Sequence, residues 1–132
     1  MAQLTPHDVY FDCEFNGFRG YFISIAFVPV DPSLPECYLI KTPVGAVDPW
    51  VYDNVLNVLY EEGMELDPIC GHDSNNLRRK LSSYLWQLHL QLHARGQRIN
   101  LVADWPADPI YFFDLLLDPD KGGEMMSVPP FT

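Results

Sequence analysis

Basic residues are scarce. Eight Lys and Arg stand against 18 Asp and Glu, a formal net charge of −10 over 132 residues. A chain of that sign is not built to hold nucleic acid through a broad basic surface, which works by displacing counterions from phosphates. An acidic site covered by bound metal, with the few basic residues lining one groove, stays compatible with it. Cysteine is also sparse: Cys13, Cys37 and Cys70 are widely spaced, odd in number and form no C-x-x-C. That argues against a disulfide frame or a zinc site and for reduced thiols in a cytoplasmic protein. Long apolar runs are missing too. The longest, Tyr21 to Val30, falls far short of the roughly 20 residues that span a membrane, and no stretch resembles a signal peptide. Neither an internal repeat nor a domain boundary is visible. With 48% apolar and 14% aromatic residues, the chain reads as one domain, 1–132, with a substantial core.

What is present is organised around Asp8-Val9-Tyr10-Phe11-Asp12-Cys13-Glu14-Phe15-Asn16-Gly17. This is a β-strand rich in aromatic and β-branched residues, closed by an Asn-Gly turn signal. Side chains alternate along a strand, so Asp12 and Glu14 share one face while Val9, Phe11, Cys13 and Phe15 share the other. Two neighbouring carboxylates repel each other and resist desolvation. A divalent cation between them removes both costs, and hard oxygen donors suit Mg²⁺ or Mn²⁺. A strand end that reaches solvent would also tolerate them.

Tyr21 to Val28 reads as a second strand, largely buried on both faces, and Glu36 to Thr42 as a third, giving an antiparallel meander. Asp48-Pro49 is a helix opening, with Val51, Val55, Val58 and Leu59 at helical spacing up to Gly63. The longest helix runs from about Ser74 to Arg95. Leu77, Leu81, Leu85, Leu88 and Leu92 line one face, and Gly96 is its stop. Arg78, Arg79, Lys80 and Arg95 read as a solvated face of that helix, with phosphate contact the alternative. Arg98 to Ala103 forms the next strand, and a short apolar helix follows from Pro109 to Leu117. Asp118 to Thr132, rich in Pro and Gly, carries no periodic pattern.

The second acidic site lies after that later strand, where ligands gather in α/β sheets. Asp108 opens the short helix and is either a ligand or the ordinary cap. Asp104, four residues earlier, is an outer ligand or a polar strand end. Asp114 and Asp118 fit the exposed face of the last helix.

Taken together, Phe11-Asp12-Cys13-Glu14-Phe15 and Ala103-Asp104-Trp105-Pro106-Ala107-Asp108-Pro109-Ile110-Tyr111 resemble the first two motifs of the DEDD (RNase T, or ribonuclease H-like) 3′–5′ exonuclease superfamily. The short bacterial and phage exoribonuclease branch is the nearest in pattern, including a proline-rich segment like Met126 to Thr132. The resemblance implies an α/β fold: a ribonuclease H-like mixed sheet, with a three-strand meander plus a parallel strand, flanked by helices. It implies hydrolysis of RNA or single-stranded DNA from the 3′ end by two divalent ions, Mg²⁺ or Mn²⁺. Asp12, Glu14 and Asp108 would be catalytic, with Asp104 an additional metal ligand. Phe15, Asn16 and Phe18 would meet the terminal nucleotide.

The family's third motif, a general-base His or Tyr and a fourth carboxylate on a C-terminal helix, has no counterpart before Thr132. His72-Asp73 precedes the second motif and is better explained by a helix cap. His7, His89 and His93 have no acidic context. The implied behaviour is a chain that binds metal and hydrolyses slowly or not at all. A non-catalytic domain of the same fold, holding a nucleic-acid end or a protein partner, is the second reading. The choice between RNA and DNA and the oligomeric state stay open.

Overall fold

The computed structural model describes residues 3–15, 22–41, 49–51, 53–54, 74–118 and 124–132. The chain is α/β. Strands β1 (Thr5–Phe15), β2 (Phe22–Pro29), β3 (Cys37–Ile40) and β4 (Gln97–Val102) form one mixed sheet in the order β3-β2-β1-β4. β1 to β3 are the expected antiparallel meander, and β4 runs parallel to β1. Helices α1 (Pro49–Val51), α2 (Ser74–His93) and α3 (Ala107–Leu116) and a small hairpin of β5 (Leu117–Asp118) and β6 (Glu124–Met125) complete the described elements.

β1 begins at Thr5 rather than Asp8, because its first half is paired by β4, from Thr5 opposite Gln97 to Tyr10 opposite Val102. Pro6 is tolerated inside this strand. Its missing N–H falls before the last β2 partner pair, Val9 with Pro29, so no ladder bond is lost. Alternation along β1 is as the pattern predicts. Val9, Phe11 and Cys13 are buried, while Tyr10 and Asp12 are exposed and Glu14 is half-buried.

The buried face meets α2. Leu77, Leu81, Leu85, Leu88 and Leu92 are each at most 1% exposed, so the leucine stripe packs on the sheet as expected. Each contributes roughly 1.5–3 kcal/mol through burial. Phe11 stacks on Phe27 at 5.9 Å, and Phe112 of α3 closes over both at 5.4 and 5.8 Å. At the far end of α2, Gly96 has φ +71°, the left-handed conformation that ends a helix. Its carbonyl accepts from Thr5 N–H at 3.0 Å, which sets β4 beside β1.

Two expectations change. α2 ends at His93, and Arg95 in the turn beyond it pairs with Asp31 at 2.7 Å. Arg78 donates from Nε to the Leu115 carbonyl at 2.9 Å. It therefore ties α2 to the C-terminus of α3, where a cation is favoured, instead of belonging to a solvated face. The tail is also structured. Leu101 N–H donates to Thr132 O at 2.7 Å, Thr132 N–H donates to Ile99 O at 3.1 Å, and Ser82 Oγ donates to Ser127 O at 2.6 Å. Phe131 thus lies parallel alongside β4. α1 begins at Pro49 as expected; Val55, Val58, Leu59 and Gly63 lie outside the described residues.

Candidate metal centre

β1 outruns its parallel partner. Pairing with β4 stops at Tyr10 opposite Val102, and β1 continues to Phe15 with its β4-side backbone groups unpaired by strand. The chain leaves β4 through Ala103, Asp104, Trp105 and Pro106 and enters α3 at Ala107. This return brings Asp108 against Cys13. The Cys13 N–H donates to Asp108 Oδ1 at 3.3 Å, and Cys13 Sγ donates to the Asp108 carbonyl at 3.8 Å. A side-chain oxygen thus takes the ladder position that β4 has vacated.

Asp108 is therefore not the helix cap. Pro106 occupies that position without a side-chain bond, and Asp108 sits in the first turn, where a carboxylate meets the positive end of the helix. It is 1% exposed, and its Oδ2 has no hydrogen-bond partner. An unsatisfied buried carboxylate oxygen carries its full desolvation cost. The Asp12 carboxylate is a neighbour, but it is another acceptor and can bond to Asp108 only through a shared proton.

Asp12 from β1, Asp104 from the turn after β4 and Asp108 from α3 each present an oxygen within 4.8 Å of the other two. Oxygens at about 2.0–2.6 Å from one hard cation are separated by no more than about this distance. The set therefore fits Mg²⁺ or Mn²⁺: all donors are carboxylate oxygens, two are open to solvent, and the third is buried with a free lone pair. Asp104, expected as an outer ligand, belongs to the closest group. Glu14, expected with Asp12 at the core, is not in this group and lies within hydrogen-bonding reach of Asp12.

The electrostatics have one sign. Burial first, then the charge of Asp12, their hydrogen bond and the charge of Asp108 push the Glu14 carboxyl up to about 7. Burial, Asp12 and Asp104 push Asp108 up to about 6, against the opposing effect of the Cys13 N–H. Burial, with these same acids, raises the Cys13 thiol, so it stays protonated and inert. No family model matches this chain, and no curated protein matches it either.

The expected nucleotide contacts fare unevenly. Phe15 stacks on Tyr111 at 4.7 Å with 13° between the rings, so at least one of its faces is taken. Asn16 and Phe18, like His72, lie outside the described residues. None of His7, His89 and His93 belongs to the acid group. His7 is buried with its Nε2 unpartnered, as is the Nδ1 of His89, whose ring stands edge-on to Trp86 at 5.6 Å.

Pattern reading missed a cleft of about 390 Å³ beside the acids, lined by Tyr10, Asp12, Ala26, Val28, Val102 and Asp104. The available signal was Tyr10 itself, two residues before Asp12 and so on the same face.

Proposed function

We propose that this chain is a divalent-metal-dependent 3′–5′ exonuclease domain of ribonuclease H-like fold, acting on RNA or single-stranded DNA. The observation that carries the metal reading is the buried Oδ2 of Asp108, unpartnered and grouped with Asp12 and Asp104. The strand order β3-β2-β1-β4 with a parallel β4 supports the fold, and the two acidic motifs at the ends of β1 and β4 supply the resemblance to the DEDD enzymes.

Asp12 and Asp104 would hold two Mg²⁺ or Mn²⁺ ions from the solvent side and Asp108 from beneath, with Glu14 joining as its proton leaves. The chemistry such ions supply when bound is stabilisation of charge on phosphoryl oxygens and a lowered pKa for water. The Cys13 N–H fixes the Asp108 carboxylate while leaving one oxygen for the ion. Burial is the main reason the Glu14 carboxyl is raised, and the Asp12 charge adds to it; a cation that neutralises Asp12 would lift that second part and favour Glu14 ionisation.

A second reading is a metal-binding domain of the same fold without turnover, holding a nucleic-acid end or a protein partner. It draws support from the histidines: none of those described stands at the acids, and the general base that typically contributes about 10²–10⁴-fold in rate is not evident among the described residues. A 5′-labelled single strand incubated in Mn²⁺ separates the two. The enzyme reading expects an Asp12-dependent ladder shortening from the 3′ end, slow in this form. Retention of the strand in Mn²⁺ with no ladder favours the second reading.

A further inference from the structure

α3 is apolar on both sides. Of its ten residues only Asp108 and Asp114 are charged, and Asp108 turns inward to Cys13. Phe112, Leu115 and Leu116 join the core. A helix that is hydrophobic all round belongs between two partners, yet Ile110 and Phe113 on its other side are 70% and 52% exposed. Spacings of three and then four carry this face on to Leu117. The cross-strand neighbour of Leu117 in the hairpin is Met125, and both are open to solvent. Four large side chains thus form one row along α3, β5 and β6. Singly exposed apolar residues are ordinary, but a contiguous row is the form of an interaction surface. On its flank a pocket of about 270 Å³ opens between Ala103, Pro109, Phe113 and Phe131. That is below the usual range for small-molecule sites, about 300–1,000 Å³, and suits one inserted apolar side chain.

The border of the row selects its occupant. From Ile99 to Asp120 the sequence holds five Asp and no Lys, Arg or His. Asp114, one helical turn from both Ile110 and Leu117, is exposed. Arg78, which reaches α3 from α2, is engaged by the Leu115 carbonyl. A second copy would set two acidic borders against each other in a chain whose net charge is already −10. Nucleic acid and an anionic membrane are disfavoured for the same reason. We infer that this face docks an amphipathic, basic helix of a protein partner. Its apolar side chains lie along Ile110, Phe113, Leu117 and Met125, one of them enters the pocket beside Phe113, and its Lys or Arg stand beside Asp114. This is helix-in-groove recognition, and it does not depend on the metal reading.

The test is calorimetry of the full chain, free of divalent ions, titrated with an amidated peptide of roughly 14 residues that places Leu on one helical face and Lys on the other. One control peptide has the same residues shuffled so that no face is apolar, and a second has Glu in place of Lys. The wild type should bind the ordered basic peptide at least about 10-fold more tightly than either control. The double variant Ile110→Ser/Met125→Ser, at positions exposed enough to spare the core, should weaken binding by about 10-fold or more. Asp114→Asn should weaken it less and flatten its dependence on salt. Leu90→Ser, at a site 66% exposed on α2, should leave it unchanged. Equal binding of the shuffled or the Glu peptide, or full affinity in the double variant, overturns the inference. A wild-type dimer seen by sedimentation velocity and dissolved by Ile110→Ser also overturns it, because the occupant is then a second copy. The metal reading stands or falls separately, on Mn²⁺ binding.

Discussion

The backbone N–H of Cys13 donates to the carboxylate of Asp108, 95 residues away in the chain, at 3.3 Å. That bond explains why an acid is buried beside two others: it completes a strand whose parallel partner has ended. On the proposed reading Asp108 is both a structural acceptor and a metal ligand, and substitutions can separate the two roles. Asp108→Asn keeps an oxygen for Cys13 and offers Asp12 an amide donor, so the cation-free protein should melt at the same temperature or higher while losing most Mn²⁺ stabilisation. Asp108→Leu leaves the Cys13 N–H unsatisfied and should cost about 1–3 kcal/mol. Thermal melts with and without Mn²⁺ check both.

On the proposed metal reading Mn²⁺ should stabilise the wild type, by binding the folded site and not the dispersed acids of the unfolded chain. The gain is about 2.7 kcal/mol at 100 times the dissociation constant. Asp12→Asn should remove most of it, and Asp104→Asn should remove a substantial part, since Asp104 stands in the closest group. An unchanged gain in Asp12→Asn would place the ion elsewhere.

The cation-free protein should lose stability as pH rises. The folded-state values of Glu14 and Asp108 are raised, to about 7 and about 6, so the folded state binds more protons than the unfolded one between the ordinary carboxylate range and neutrality. Their favourable contribution is full below about pH 4 and is lost as pH climbs through those raised values. Mn²⁺ should act in the opposite sense, stabilising more strongly across the same window as its ligands deprotonate. Melting temperatures from pH 4.5 to 8, with and without Mn²⁺, should diverge; parallel curves would contradict the shared origin.

Leu85→Asp should be severely destabilising, by more than about 4 kcal/mol, because Leu85 is 0% exposed and the substitution buries an unpaired charge. Leu85→Ala should cost about 2–5 kcal/mol. Denaturant melts monitored by circular dichroism measure both.

Much of this was legible from local pattern. The two-residue period of β1 put Asp12 and Glu14 on one face, the leucine spacing oriented α2, and Gly96 marked the turn that delivers β4. The remainder depended on where strands stop. In the sequence Asp108 fits a ligand or a cap equally; the cap is set aside only once β4 is seen to end opposite Tyr10, which leaves Cys13 in need of an acceptor. Asp104 reads as peripheral until the turn after Val102 folds it toward Asp12. The contacts of Arg78 with Leu115, Phe15 with Tyr111 and Thr132 with Ile99 join residues far apart in sequence, and no local periodicity encodes them.

The pairing of Phe131 and Thr132 along Ile99 and Leu101 bears on self-association. Among the described residues β4 is the outermost strand of the sheet on the side of the acids, and an uncovered strand edge is a template for joining another molecule edge to edge. Thr132 occupies the Leu101 amide and the Ile99 carbonyl just before the chain turns to Asp104. Removing Phe131 and Thr132 should leave Asp12 and Asp108 in place yet expose the Leu101 amide and the Ile99 carbonyl, and the shortened protein should form oligomers at concentrations where the 132-residue chain does not.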